Sequence, residues 1–479
     1  MKGIGGSSMA LHHTISDLVE QKKEKFIEIS DKIWGSPELH FEEYQSSEYL
    51  CQALESEGFK VERGVAGLET GFVGSYGSGH PIVAILGEFD ALPGLSQKSG
   101  VAAFDPIIPG GNGHGCGHNL LGTGSFAAAV AVKDYMDNHG LTGTVRYYGC
   151  PAEENGSGKA YMARAGLFND ADAAFSWHPK TVPSIMHVSS LANYSVKFKF
   201  TGKSAHAAAA PHLGRSALDA VELTNVGVNY LREHMIQEAR VHYAVTDTGG
   251  TSPNVVQAYA EVLYLIRAPK QKQVQDLYKR VQDIAKGAAL MTGTAVEEAF
   301  VGTASDLVPN EVLAKLMHKN MVALDVPSYD EADYQFAEKI QASLSKEDIE
   351  ADLAGLDKES VKLLKEKVIA DIIPPLGREG HLAGSTDVGD VSWNVPTTQC
   401  MTATWALGTP FHTWQAVSQG VMPIAHKGML QAGKIIAATA IEAMENPAII
   451  EAAKAEWQDR LAGEAYLSLI PKDAEPPKK

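Results

Sequence analysis

The side chains best suited to chemistry in this 479-residue chain lie in four separated stretches: Cys116 and His118 in HGCGHN, Glu153 and Glu154 in CPAEEN, His178 in SWHP, and His412 in TPFHTWQ. They offer a thiolate, imidazoles and carboxylates, the donor types that hold Zn-like divalent ions, and one carboxylate beyond the ligands can take a proton from bound water. The pattern points to metal-assisted hydrolysis. A lone histidine is usually a satisfied structural group, and an adjacent glutamate pair is usually a solvated surface. Here the order of the motifs reverses both readings. Glycines flank Cys116, which marks close backbone approach, and the two glutamates directly follow a buried apolar run.

The elements that must position these residues can be read from periodicity. PIVAILGEFD, TVRYYGC and AAFSW are short apolar runs that read as buried strands, and each leads into a polar, ligand-type residue: Glu88 and Asp90, the glutamate pair, and His178. A Gly- and Pro-rich loop delivers Cys116 and His118 to the small-residue helix LLGTGSFAAAVAVKDYM. ISDLVEQKKEKFIEISDKIW and EYQSSEYLCQALESEGF have helical spacing, the second with Gly58 as its C-terminal cap. Strands ending in ligands with helices between them predict an α/β fold whose mixed central sheet is flanked by helices and carries its site at the carboxyl strand ends.

After about residue 188 the texture changes. NYSVKFKFTG alternates, two amphipathic helical segments follow, and VVQAYAEVLYLIRAP reads as a strand, which predicts a smaller inserted α+β domain over 189–304 that interrupts a catalytic domain of 1–188 and 305–479. The stretch EKIQASLSKEDIEADLAGLDKESVKLLKEKV reads as one or two solvated helices, and the ends, MKGIGGSS and PKDAEPPKK, as a flexible leader and a tail too polar to pack. His114 and His139 read as structural, at the Gly-rich loop and at a helix end.

Composition narrows the class. With 41 basic and 58 acidic residues the formal charge is −17, which argues against nucleic acid or an anionic membrane surface as partner. No apolar stretch approaches the roughly 20 residues that span a bilayer. Cys51, Cys116, Cys150 and Cys400 show no regular spacing, which suits a reducing, cytoplasmic compartment.

GEFDALP, GHGCGHNLLG, CPAEENGSGK, SWHP, GKSAHAAAAPHLGRSALDA and GTPFHTWQ together resemble the metallopeptidase family that contains aminoacylases, glutamate carboxypeptidases and amino-acid-conjugate amidohydrolases. The resemblance covers nearly the whole chain. It implies that Cys116, His118, Glu154, His178 and His412 hold two divalent ions, Zn or Mn, and that Glu153 is the general base. It implies that Asp90 orients a ligand, and leaves Glu88 open, because many members carry a metal-binding histidine there. Asn119 stands where an acidic residue often follows the Cys-x-His histidine. His206 of GKSAHA matches a histidine that reaches a neighbouring protomer's site to stabilise the oxyanion, which requires a dimer. Asn254, Arg267, Gly384 and Ser385 fall at positions that contact the substrate. The expectation is an amidohydrolase acting on a small N-acyl or N-aroyl amino acid, working as a homodimer with the inserted domain as dimerisation and lid element. The alternatives are a dipeptidase or aminoacylase, or a partner subunit of a heteromeric enzyme.

Overall fold

A computed structural model describes residues 4–478 of the chain. In chain order the strands are β1 (Lys60–Arg63), β2 (Phe72–Ser78), β3 (Ile82–Glu88), β4 (Gly143–Cys150), β5 (Ala173–Lys180), β6 (Ser184–Ile185), β7 (Val188–Ser190), β8 (Ala192–Thr201), β9 (Arg240–Asp247), β10 (Tyr259–Ala268), β11 (Ala295–Ala304), β12 (Gly380–Leu382) and β13 (Thr397–Ala403). Seven of them form one sheet in the order β1-β2-β4-β3-β5-β13-β6. Its centre is parallel, with β3 paired to β4 and β5, and β5 to β13; β1, β2 and β6 join antiparallel, so the sheet is mixed as expected.

Every residue of β3 is buried, the signature of a parallel strand covered on both faces. Val83 and Ile85 pack on one side with Leu120, Phe126 and Ile436 from the helices His118–His139 and Pro423–Glu445. Ala84 and Leu86 face the other side, toward Ala160 and Met162 of the helix Gly158–Arg164. Burial of each such Val, Ile or Leu contributes about 1.5–3 kcal/mol. The helix His118–His139 sits close to the sheet because its glycines permit it. A Cβ at Gly122 would lie 2.6 Å from the Glu88 carbonyl oxygen. The start of this helix, which carries His118, is thereby held against the end of β3.

The second sheet has the order β11-β8-β10-β9. β8 alternates in burial along its whole length. Tyr194, Val196, Phe198 and Phe200 share a hydrophobic cluster with the helices Ala217–Leu231 and Gln271–Thr292, while Asn193, Ser195, Lys197 and Lys199 lie on the opposite, open face. Ser216 caps the first of these helices by accepting from the Asp219 amide at 3.1 Å.

Several local expectations change. The N-terminal segment forms two helices, Ile4–Gln21 and Lys23–Trp34, and the first begins inside the stretch expected to be a flexible leader. The C-terminal tail packs: Pro476 is buried, and Arg164 donates to the carbonyls of Pro471 and Ala474 at 3.0 and 2.9 Å. Proline-rich backbone there supplies acceptors to an arginine, a pairing that polarity alone does not reveal. The charged stretch forms three helices, Glu331–Gln341, Lys346–Leu353 and Lys358–Leu364, with Ile340, Leu353 and Leu364 buried. Among the described residues no helix is long and apolar enough to cross a membrane.

Candidate metal centre

The carboxyl ends of β3, β4 and β5 and the loop after β13 bring the four motifs together. Gly117, at φ 73°, turns the chain between Cys116 and the first residue of the helix, His118. Gly115 accepts the His412 amide at 2.9 Å, which ties the late motif to the early one. The Cys116 Sγ lies 3.5 Å from His178 Nε2, and His412 Nε2 lies 3.4 Å from Glu154 Oε1. His118 Nε2 is 3.2 Å from Glu88 Oε2 and 4.0 Å from both Glu153 Oε2 and Glu154 Oε1.

Three sets of donor atoms lie within 4.8 Å of one another: Cys116 with His118 and His178, Cys116 with Glu154 and His412, and Glu88 with His118 and Glu153. Glu88 Oε2, His118 Nε2 and Glu154 Oε1 are buried without any hydrogen-bond partner. Orphaned buried polar atoms of this kind are costly and call for a ligand. Thiolate, imidazole and carboxylate donors converging on one space fit divalent cations.

The surroundings fix these atoms. Asp90 Oδ1 bonds His118 Nδ1 at 2.8 Å, which leaves Nε2 directed at the cluster, and Asp90 Oδ2 accepts the Glu154 amide at 2.9 Å. His178 Nδ1 pairs with the Pro179 carbonyl at 2.8 Å, so its Nε2 is the free donor. Burial, reinforced by His118, pushes the His178 pKa down to about 4, which keeps the ring neutral as a ligand must be. Burial together with the charges of Glu88 and Glu154 raises the Glu153 carboxyl well above its usual range. Burial acts in the same direction on Glu154, but the nearby His412 and His118 outweigh it and hold that carboxyl low. Two adjacent glutamates are thus split into an easily protonated group and an ionised one.

Three contributors were not singled out from sequence. Lys159, fully buried, joins Glu88 Oε1 at 2.6 Å to Asp387 Oδ1 at 2.7 Å. Lys159 closes the stretch CPAEENGSGK and Asp387 lies in GSTDVGD, but nothing local marks them as partners 228 positions apart. Glu88, left open by the resemblance, is held between this lysine and His118. Glu43, also buried, accepts the Ala152 amide at 2.8 Å and the Thr70 hydroxyl at 2.9 Å. Ala152 is at φ 58°, a left-handed conformation unusual for alanine, directly before the glutamate pair. Glu43 and Asp90 therefore grip alternate amides of the segment that aims Glu153 and Glu154.

The remaining positions lie outside this cluster. Arg267 Nη1 donates to Ser385 Oγ at 2.8 Å, and Gly384 accepts the Leu191 amide at 3.1 Å in the same turn. His206 and Asn254 are exposed, side by side on the loops that follow β8 and β9 of the second sheet: the Ala207 amide bonds the Asn254 carbonyl at 2.9 Å, and His206 Nδ1 accepts from Ala208 and Ala209. Asn119 turns away, donating to Ser30 and Gly420, His114 bonds the Ile33 carbonyl, and His139 stacks on Tyr135.

This arrangement agrees with the relationships of the sequence. Residues 84–397 match the pattern of peptidase family M20/M25/M40. The chain belongs to that family. It is 48% identical over 474 residues to one of the subunits of p-aminobenzoyl-glutamate hydrolase from Escherichia coli K12, covering 97% of this chain and 98% of that protein. Another subunit of the same hydrolase, from the same organism, is 30% identical over 262 residues, 51% of this chain and 59% of that protein. In structure the chain resembles an aminobenzoyl-glutamate utilization protein from Klebsiella pneumoniae, with a TM-score of 0.56, 16% identity, and coverage of 87% and 98%. The protein is accordingly a hydrolase of amide bonds built on the fold of this family.

Proposed function

We propose that the protein is a dinuclear metal-dependent amidohydrolase of N-acyl or N-aroyl amino acids, with p-aminobenzoyl-glutamate, cleaved to p-aminobenzoate and glutamate, as its leading substrate. The observation that carries this reading is the convergence of Cys116, His118, Glu154, His178 and His412 around orphaned buried donors, with Glu153 beside them. The substrate follows from the 48% identity to a hydrolase of that name.

In this reading the five residues hold two divalent ions, Zn or Mn. When bound, such ions lower the pKa of a coordinated water and polarise a carbonyl. Glu153 takes the proton of the attacking water and delivers it to the amide nitrogen as the C–N bond breaks. Asp90 keeps His118 in one tautomer and orientation. Arg267, with Ser385 and the backbone at Gly384, receives the carboxylate of the amino-acid half, and Asn254 adds a polar contact.

His206 is exposed on the loop after β8, and in this reading its imidazole serves the oxyanion in another copy's site. We assign 189–304 as the dimerisation and lid unit of a homodimer, with 1–188 and 305–479 carrying the metals. β9 is an edge strand, and Tyr243 and Val245 on it are each 41% exposed, with Tyr230 at 73% on the adjacent helix. An apolar edge of this kind calls for a partner. Pairing with a related but different chain is the second reading, favoured by two E. coli relatives that are named as subunits of one hydrolase. Four buried free cysteines support a cytoplasmic setting.

The test is hydrolysis of p-aminobenzoyl-glutamate by the purified chain alone and by Glu153→Gln, with metal stoichiometry measured on both. The variant is expected to lose about 10²–10⁴-fold in kcat while keeping its metal. Loss of metal in the variant would refute the assignment of Glu153 as base, and turnover of dipeptides in preference to the aroyl conjugate would refute the substrate.

A further inference from the structure

The register of β9 on β10 places Arg240 directly opposite Arg267. His242 stands two residues along β9, opposite Leu265, on the same face as Arg240. Val241 points the other way, into the cluster under the helices, and the half-exposed Tyr243 lies on that side against Tyr264, so Arg240, His242 and Arg267 share the open face of the small sheet. Like charges opposed across a strand pair destabilise it unless something between them is negative.

Among the described residues no side chain pairs with these cations as a counter-charge. Although acidic residues outnumber basic ones by 58 to 41, no ion pair among the described residues involves Arg240, Arg267 or the neighbouring Arg232. Arg267 is half-buried, and desolvation lowers its pKa with no acid to oppose it. Burial, then Arg267, Arg232 and Arg240, lower that of His242, which places all four groups within one field. Arg240 is held from behind: its Nη1 donates to the carbonyls of Gln237 and Ala239. Arg232 donates to the Val241 carbonyl at 2.7 Å.

This cationic face is connected to the metal cluster. Arg267 bonds Ser385, and two residues on Asp387 is tied through Lys159 to Glu88. With Arg267 taking the carboxylate next to the scissile amide, a second carboxylate on the same amino acid would meet the arginine opposite.

We propose that Arg240, assisted by His242, is a second carboxylate-recognition position, which makes the site selective for conjugates of dicarboxylic amino acids such as glutamate. An arginine fork matches a carboxylate in shape as well as charge, and a side-chain anion between Arg240 and Arg267 removes the repulsion that the free strand pair carries. The inference rests on the amidohydrolase reading and adds to it the origin of selectivity for the amino-acid half.

The experiment compares the metal-loaded full chain with Arg240→Gln on p-aminobenzoyl conjugates of glutamate, glutamine and alanine. The wild type is expected to favour the glutamyl conjugate at least tenfold in kcat/KM. Arg240→Gln should erase that preference through a tenfold or greater rise in KM for the glutamyl conjugate alone, with kcat and the other two substrates within twofold. His242→Asn should give a smaller change in the same direction. Equal losses on all three conjugates, or no loss on any, would overturn the proposal. Calorimetric titration with N-benzoyl-glutamate and N-benzoyl-glutamine separates it from the parent reading. If no conjugate is hydrolysed yet the glutamate ligand binds more tightly in an Arg240-dependent way, the hydrolytic reading falls and this one stands; equal affinities for the two ligands sink this one.

Discussion

Replacing Glu43 should cost catalysis while leaving the metal ligands in place. Its carboxylate accepts the Ala152 amide at 2.8 Å, and Ala152 is held at φ 58° immediately before Glu153. Burial, and then the charge of Asp90, push the Glu43 pKa up to about 8, so at neutral pH a neutral acceptor of the same shape reproduces it. Glu43→Gln is therefore expected to stay within about threefold of wild type. Glu43→Met keeps the volume and removes the acceptor. The Ala152 amide is then buried without a partner, at about 1–3 kcal/mol. The left-handed conformation of a non-glycine residue adds about 1–2 kcal/mol that nothing offsets. The segment gains by rotating away, but the grip of Asp90 on the Glu154 amide resists the rotation and leaves a net of about 1.5–3 kcal/mol, which at about 1.4 kcal/mol per factor of ten depletes the productive turn roughly 10- to 100-fold. Steady-state kinetics should show this as a fall in kcat with KM little changed and metal content intact. Adding Ala152→Gly makes φ 58° intrinsically accessible and should return about tenfold. If Glu43→Met turns over within twofold of wild type, or if the glycine restores nothing, the positioning argument is wrong. Should the methionine variant fold poorly, Thr70→Val weakens the same support, and its smaller loss must also respond to Ala152→Gly.

Two further outcomes concern stability. Lys159→Met strands Glu88 and Asp387 in the interior without their cation; a loss of about 3–5 kcal/mol is expected from the urea unfolding midpoint, with Asp387→Asn costing less because Lys159 then keeps Glu88, and equal midpoints for wild type and Lys159→Met would contradict this. Asp172 is a structural carboxylate at the amino end of β5, the opposite end from His178: burial opposes its charge, but Lys454, the Ile82 amide and His80 together hold its pKa below the ordinary value. A depressed folded pKa stabilises above the unfolded value of about 3.9 and ceases to do so as the pH falls through the lower folded value. Asp172→Asn should thus cost about 2 kcal/mol at pH 7, with the gap to wild type closing below about pH 4; a gap independent of pH would assign the loss to packing instead.

Residue type, motif order and the family resemblance they carry gave the candidate donors. Cys116, His118, Glu154, His178 and His412 stand at the ends of strands or in glycine turns whose apolar runs and breakers are local signals, and a buried parallel strand such as β3 declares itself by an unbroken apolar run. The alternation of β8 likewise declares a half-covered sheet. Local pattern does not encode which distant side chain answers a buried charge. Lys159 and Asp387 meet across 228 positions, and Glu43 reaches Ala152 across 109. Nor does polarity predict a tail held by Arg164 through backbone carbonyls. The pairing of Arg240 with Arg267 depends on strand register, which is set when the sheet packs on its helices. The sequence determined the chemistry on offer and the strand ends that present it; tertiary packing decided the orientation, charge balance and neighbours of each group, because those depend on contacts formed only when remote segments are buried together.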